Sequence, residues 1–514
     1  MTEFRHQNLR DLGAPEILLR YLDGDPEIEA VLGHRPRSVA DFDSIPRTVE
    51  RAVPREKLVA ALSDYADRHG APTAVFDALK TFEDESVQVI VTGQQPGLLG
   101  GPLYTLHKAA TALRLARELT AAGRPTLALF WNHSDDHDFD EVNRAFLINR
   151  NLDLQRFRLD IDPEQAAIRD VPVGQQLDAV VDAANDLLPG SEFRDEVLEA
   201  CRSRDASEGL GAQLARLLFR CFGNQGLLIL EPRDLPEEAF DVLPRWRGKA
   251  GEIREQVRRV TDHLTDLGID VTIDPSVPLM FECGGAGPRR ALADDEAPSE
   301  GRRLSPSVLL RPLWQDLCLP TIGFVVGPGE LSYLSVVSSL YRLLGVPRPL
   351  LVPRASLTLT TGSLEKHRDR LGFDLAELRR GSEDLLAGLQ NDGDDRAEQS
   401  LRLLAETVQS ELGAVRGLVL ESDRALQGPI DKSKQKICAE IEKLEQKVRN
   451  ARQNREGSGE RQVKRLCSTL APRGRMQERV LGPLSFLVTH GFGLGDVLVE
   501  HADPFTTEHG LLQL

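Results

Sequence analysis

The nine positions from His133 to Glu141 carry five acids and two histidines, in the order His133-Ser134-Asp135-Asp136-His137-Asp138-Phe139-Asp140-Glu141. Carboxylates crowded beside imidazole shift one another's proton affinities, which makes them candidates for general acid and base work. Asp136, His137 and Asp138 are the residues expected to act directly. The interval between His133 and His137 also suits a divalent ion, the chemistry of a metal-dependent hydrolase. Caps and salt bridges are the structural alternative for this loop.

A second segment reads Thr92-Gly93-Gln94-Gln95-Pro96-Gly97 and continues to Gly100-Gly101-Pro102. Glycines let backbone N–H groups approach an anion, and the helix that follows offers its positive end. No Gly-Lys-Ser/Thr follows and GxGxxG is absent, so the standard phosphate loops are not matched. Tyr104, His107 and Lys108 stand at the start of that helix. His107, Thr111 and Arg114 share a face, so a solvated stripe is the alternative for those three. A third segment is Gly327-Pro328-Gly329-Glu330, with Tyr333 behind it and Arg311, Gln315 and Asp316 upstream. Glutamate in that turn would repel phosphate but suits an ammonium or hydroxyl group. Arg311 could take a carboxylate through its two-pronged guanidinium, or belong to an internal salt bridge.

Each segment follows a run that reads as a buried strand. SVQVIVTG, PTLALFW and PTIGFVV are short and apolar, and GLLILEP (226–232) supplies a further strand. Between them lie amphipathic helices, YTLHKAATALRLAREL ending near Gly123 and LSYLSVVSSLYRLLG ending at Gly345. Strands alternating with helices predict an α/β fold with a doubly wound parallel sheet, whose ligands bind beyond the carboxyl ends of the strands. The Gly-, Pro- and Arg-rich stretch 276–303 reads as an irregular excursion. Beyond about residue 360, Leu401, Leu404, Val408, Leu412, Val415 and Leu418 recur at helical intervals. So do Ile430, Ile437, Ile441, Leu444 and Val448. Gly428-Pro429 is expected to separate the two runs and REGSGE (455–460) to close the second, giving an antiparallel coiled-coil hairpin.

The chain has 514 residues, 41% hydrophobic and 28% charged, enough for about three domains. Eighty acids against 63 Lys and Arg give a net charge of −17, which disfavours nucleic acid as a partner. Six scattered cysteines form no CxxC pair, so no structural metal and no disulfide framework is expected. No apolar run of about 18 residues argues for a membrane span and no leader is evident, so a cytoplasmic location is expected.

The strings TGQQPGLLGGPLYTLHKA, FW…DDHDFDE, LSPSVLLRPLWQDLCLPTIGFVVGPGELSYL, VPRAS and MQERV, in this order, resemble the bacillithiol-biosynthesis cysteine-adding enzymes. The likeness covers about residues 88–490. It implies a Rossmann-like core with inserted connecting segments and a helical coiled-coil arm that forms a homodimer. It implies a ligase that joins the carboxyl group of cysteine to the amino group of glucosaminyl-malate, activated by ATP or another nucleotide. On that reading the 93–101 loop (Thr92, Gly93, Gln94, Gln95, Gly97) cradles an anionic group and His107 stands near the reacting carboxyl. Asp136 or His137 takes a proton from the amine, and Arg311 holds the malate carboxylates. Where the usual family form reads Gly-Glu-Asp-His-Asp, this chain has Ser134-Asp135-Asp136-His137-Asp138, with His133 in place of a small residue. The domains are expected as a helical lead-in (1–85), the core (86–360), the arm (361–470) and a C-terminal segment returning to the core (471–514).

Overall fold

The computed structural model describes residues 4–47, 51–271, 273–274, 276–284, 289–390 and 396–514. It divides into two compact units, one formed by residues 1–362 with 475–514 and the other by 363–474.

In the first unit five parallel strands form the central sheet: β1 (Gln88–Gln94), β2 (Thr126–Asn132), β3 (Leu228–Leu230), β4 (Thr321–Val326) and β5 (Leu350–Pro353). Their spatial order is β5-β4-β1-β2-β3. Val89, Ile90 and Val91 are all fully buried, because helices cover both faces of a parallel sheet. The chain runs outward from β1 to β3, then returns to β4 on the other side of β1. The strand order therefore reverses between β1 and β4, and the crevice at that switch point is where such sheets bind ligands.

Helix α1 (Tyr104–Ala121) links β1 to β2 and lies close to the sheet through Ala109, Ala110 and Ala112, all fully buried. Helix α2 (Arg311–Cys318) precedes β4, and α3 (Pro328–Leu344) links β4 to β5. Proline at the first position of α3 fits the fixed φ of a helix start, where its missing N–H costs nothing. The Glu330 carboxylate accepts the Gly327 N–H at 2.7 Å, and α3 stops at Gly345, whose φ of 69° favours glycine.

Two stretches depart from the sequence reading. The lead-in has its helices but begins with a strand, Phe4–Asn8, antiparallel to Glu508–Gln513, which in turn runs parallel to Ser356–Thr360. The string FRHQN has no apolar alternation to announce it. The excursion 276–303 is also more regular than expected, since Met280–Cys283 pairs with both Arg290–Leu292 and Arg303–Pro306.

The second unit contains the hairpin of α4 (Arg396–Ser422) and α5 (Gln427–Leu470). Arg416 pairs with Asp431 at 2.8 Å and Arg402 with Glu445 at 3.5 Å, so one index falls as the other climbs and the helices are antiparallel. The break falls at Asp423–Leu426 rather than at Gly428-Pro429, because proline is tolerated in a first helical turn. REGSGE does not end α5, which runs on through it. The apolar pattern resumes with buried Val463, Leu466 and Leu470, and packing overrides the cost of about 1 kcal/mol that glycine brings to a helix.

Candidate active site

A cavity of about 890 Å³ lies at the carboxyl ends of the strands and is lined by all three of the sequence-predicted segments. The first segment contributes Gln94, Gln95, Tyr104 and Lys108. The second contributes Asp136, His137 and Asp138, with His133, Asp135 and Glu141, and the third Arg311, Gly327, Gly329, Glu330 and Tyr333.

Six expected site residues do not line the cavity. His107 is fully buried on another face of α1, with Nδ1 3.0 Å from Glu478 Oε2. Burial holds its imidazole below the ordinary range despite that carboxylate. Gly97 packs on Gly101 instead of cradling a ligand, since a Cβ there would lie 2.7 Å from the Gly101 Cα. At Gly93 a Cβ would meet the Trp131 carbonyl at 2.4 Å, so glycine serves close strand packing. Thr92 Oγ1 donates to the Val325 carbonyl at 2.9 Å, tying β1 to β4 below the switch point. Gln315 donates to Asp316 at 3.2 Å inside α2, and Tyr341 donates its hydroxyl to the same carboxylate. Burial pushes Asp316 up to about 6.

Although the chain is strongly acidic, Lys108, Arg289, Arg311, Arg354 and Arg479 all face this cavity. Their commitments differ. Lys108 Nζ donates to the Gly93 carbonyl at 2.8 Å and Gln94 Oε1 at 3.0 Å, and pairs with Glu330 at 2.5 Å. Burial lowers its proton affinity, with Glu330 opposing. Arg354 makes a two-pronged contact with Glu478, at 2.9 and 2.6 Å. That carboxylate also accepts the Ser356 hydroxyl and the Leu357 N–H, each at 3.0 Å. Burial pushes Glu478 up, but Arg354 and His107 outweigh it and hold the carboxyl well below its usual range. Removing one partner of a buried pair strands the other charge, so Glu478→Ala is expected to cost about 3–5 kcal/mol of stability, read from urea unfolding. A loss below about 1 kcal/mol would show that Arg354 finds another partner.

Arg311 is different. Its Nη1 lies 3.2 Å from His133 Nε2 and 3.5 Å from Gln315 Oε1, and Nη2 donates to the Tyr333 hydroxyl at 2.9 Å. Every one of these partners is neutral, and among the described residues no carboxylate forms an ion pair with it. A guanidinium only donates, so His133 Nε2 accepts. Burial, Arg311 and Lys108 together hold that imidazole far below its ordinary range. Arg289 stands over the Phe281 ring with its guanidinium 4.0 Å from the centroid, 3.2 Å from His137 Nδ1 and 3.8 Å from Asp136. Burial pushes the Asp136 carboxyl up, but hydrogen bonds from His137 and Gln95, together with the Arg289 charge, hold it below the carboxylate range.

The metal-dependent hydrolase alternative finds no support in this geometry. Both histidines turn a ring nitrogen toward a guanidinium, and among the described residues no three His, Cys, Asp or Glu side chains are grouped to hold an ion. Arg289, Arg354 and Arg479 are the site residues that sequence reasoning missed. Arg354 lies in VPRAS and Arg479 in MQERV, so the signal for those two was in strings already singled out.

A parallel sheet in the order β5-β4-β1-β2-β3, with a cavity at its switch point, defines a Rossmann-like core. The chain belongs to the bacillithiol-biosynthesis BshC family. The model described as "Bacillithiol biosynthesis BshC, N-terminal Rossmann-like domain" matches residues 4–297 and 289–355, and the corresponding C-terminal coiled-coil domain matches 357–514. Relatives carrying the name "Putative cysteine ligase BshC" align over nearly the whole length. The protein of Salinibacter ruber is 31% identical, over 90% of this chain and 89% of its own. That of Solibacter usitatus is 28% identical over 93% and 95%, and that of Bacillus cereus (strain B4264) 24% identical over 98% and 100%. Among the described residues no helix is long and apolar enough to cross a membrane.

Proposed function

We propose that this chain is a ligase that forms an amide between the carboxyl group of cysteine and the amino group of glucosaminyl-malate in the cytoplasm. The names of its relatives support the reading, and one observation carries it to this site. Arg311 is a cation that has neutral partners only among the described residues, and it lines the same cavity as an ionised carboxylate, Asp136, and an imidazole, His137. Such a guanidinium together with a carboxylate and an imidazole in one cavity suits a substrate that carries both carboxylates and an amine.

A carboxylate is a poor electrophile, and a nucleoside triphosphate supplies the activation of the cysteine carboxyl group when bound. Arg479, which lines the cavity and has no carboxylate partner among the described residues, is the group that would hold its phosphates. The protein's own residues then do three things. Arg311 holds the malate carboxylates, Asp136 orients the amine, and His137 removes its proton as the C–N bond forms and the activated acyl C–O bond of cysteine breaks, releasing the phosphate-bearing leaving group. Incubation with cysteine, glucosaminyl-malate and each of several nucleotides, with mass detection of the conjugate, tests the assignment. No conjugate with any nucleotide would refute it.

The arm is proposed to join two copies. Ile437 and Leu444 are 42% and 49% exposed on α5, and Leu403 and Leu418 are 66% and 68% exposed on α4. Ile441 is less exposed than either. Ile437→Asp with Leu444→Asp is therefore expected to give folded monomers by sedimentation, and a variant that still sediments as a dimer would contradict this role.

A further inference from the structure

The loop that carries Asp136 and His137 leaves β2 at the edge of the cavity, and its shape is set from behind. Glu231, just past the end of β3, is 5% exposed and turns its carboxylate to the base of this loop. Oε2 accepts the Ser134 hydroxyl at 2.5 Å, and Oε1 accepts the Tyr65 hydroxyl at 3.0 Å and the Asn132 amide at 3.4 Å. Arg169 lies 3.4 Å from the same carboxylate and supplies its counter-charge. Two residues on, Arg233 donates from Nε to Asp135 at 2.8 Å and from Nη1 to Asp170 at 2.8 Å. The backbone completes the clamp, with Arg169 N–H donating to the Ser134 carbonyl at 3.0 Å and Ile168 N–H to the Asp136 carbonyl at 2.7 Å. Gly211 leaves no slack, since a Cβ there would sit 2.7 Å from Glu231 Oε1 and 3.4 Å from Ser134 Cβ.

We propose that Glu231 is a positioning residue, which acts through Ser134 to fix where Asp136 and His137 stand in the cavity. Ser134 and Asp135 are then scaffold rather than chemistry: one takes the Glu231 carboxylate, the other the Arg233 guanidinium. A small displacement of a reacting group is enough to cost about 10²-fold in rate.

The proposal rests on the ligase reading for its kinetic arm only. Ser134→Ala is expected to melt close to the wild type, while Glu231→Gln, which leaves Arg169 without its counter-charge, is expected to melt lower but remain folded. Each is expected to lower kcat about 10- to 10²-fold with KM for glucosaminyl-malate within about twofold. The double variant should lose no more than the worse single one, because both act along one contact. The second arm needs no turnover: in protein labelled with ¹³C-histidine, the His137 ring signal, assigned by its loss in His137→Gln, should shift or broaden in both variants. An unmoved His137 signal in Ser134→Ala and Glu231→Gln would overturn the proposal. If Glu231→Gln fails to fold, Ser134→Ala alone decides. If the wild type makes no conjugate, the ligase reading falls and the His137 signal still judges the clamp.

Discussion

Replacing Arg311 by Leu is expected to raise KM for glucosaminyl-malate about 10- to 10²-fold, with kcat changed much less, while the ligand-free protein melts no lower than the wild type. The first half follows from the bond that is lost. A charge-assisted contact between guanidinium and carboxylate is worth roughly 1.5–3 kcal/mol, and about 1.4 kcal/mol corresponds to a factor of ten. A carboxylate remote from the reacting amine is held alike in the ground and transition states, so its loss appears in KM. The second half follows from the company Arg311 keeps. His133, Gln315 and Tyr333 carry no counter-charge, and burial pushes the Tyr333 phenol up, so it stays neutral. Removing a half-buried cation with no ionic partner breaks no pair and relieves a desolvation cost. Arg311→Lys should fall between, since it keeps the charge but not the planar fork. Steady-state kinetics in the second substrate and thermal unfolding without ligand read both halves. An unchanged KM, or a melting point several degrees lower, would make Arg311 a part of the fold and not of the site.

The contrast between Lys108 and His107 shows where the sequence stops being legible. The two are adjacent in α1 and therefore about 100° apart around the helix. A one-sided amphipathic helix would have declared which of them faces the ligand, but Thr105, Leu106, His107, Lys108 and Ala109 are all buried. With both faces covered, periodicity cannot choose between the cavity and Glu478, which lies 371 residues further along. The strands were legible for the opposite reason, because burial on both faces leaves an unbroken apolar run such as Val89-Ile90-Val91. Their carboxyl ends then located Gln94, Asp136 and Gly327 on one cavity wall or another. Arg289 was out of reach, because it is brought to His137 across 152 residues by an antiparallel sheet whose strands are only three or four residues long. Ser134 and Asp135 looked like members of the reacting cluster on composition alone. The sequence already chose Asp136, His137 and Asp138 for direct roles, and the partners Glu231 and Arg233 add a physical reason to set Ser134 and Asp135 apart.

His137→Gln is expected to lower kcat about 10²- to 10⁴-fold, the range for loss of a general base, with KM for either substrate nearly unchanged. The sequence left Asp136 and His137 as equals, and on the proposed ligase reading their surroundings favour different roles. Asp136 is held below the carboxylate range, so it remains ionised and is too weak a base to take a proton from an amine. Its Oδ1 accepts the His137 backbone N–H at 2.7 Å and lies 3.5 Å from His137 Nδ1, so it steadies the ring and attracts a positive amine. Arg289, 3.2 Å from Nδ1, can only donate to that atom, so Nδ1 is the ring nitrogen without a hydrogen and the one that takes the proton of the amine as Arg289 gives way. When the ring gains a proton, Asp136 balances the new charge and Arg289 can turn to the carboxylate 3.8 Å away. Asp136→Asn should therefore lower the rate less than His137→Gln, since it removes the group that orients the amine and leaves the base in place. A loss of kcat in Asp136→Asn equal to or larger than that in His137→Gln would exchange the two roles.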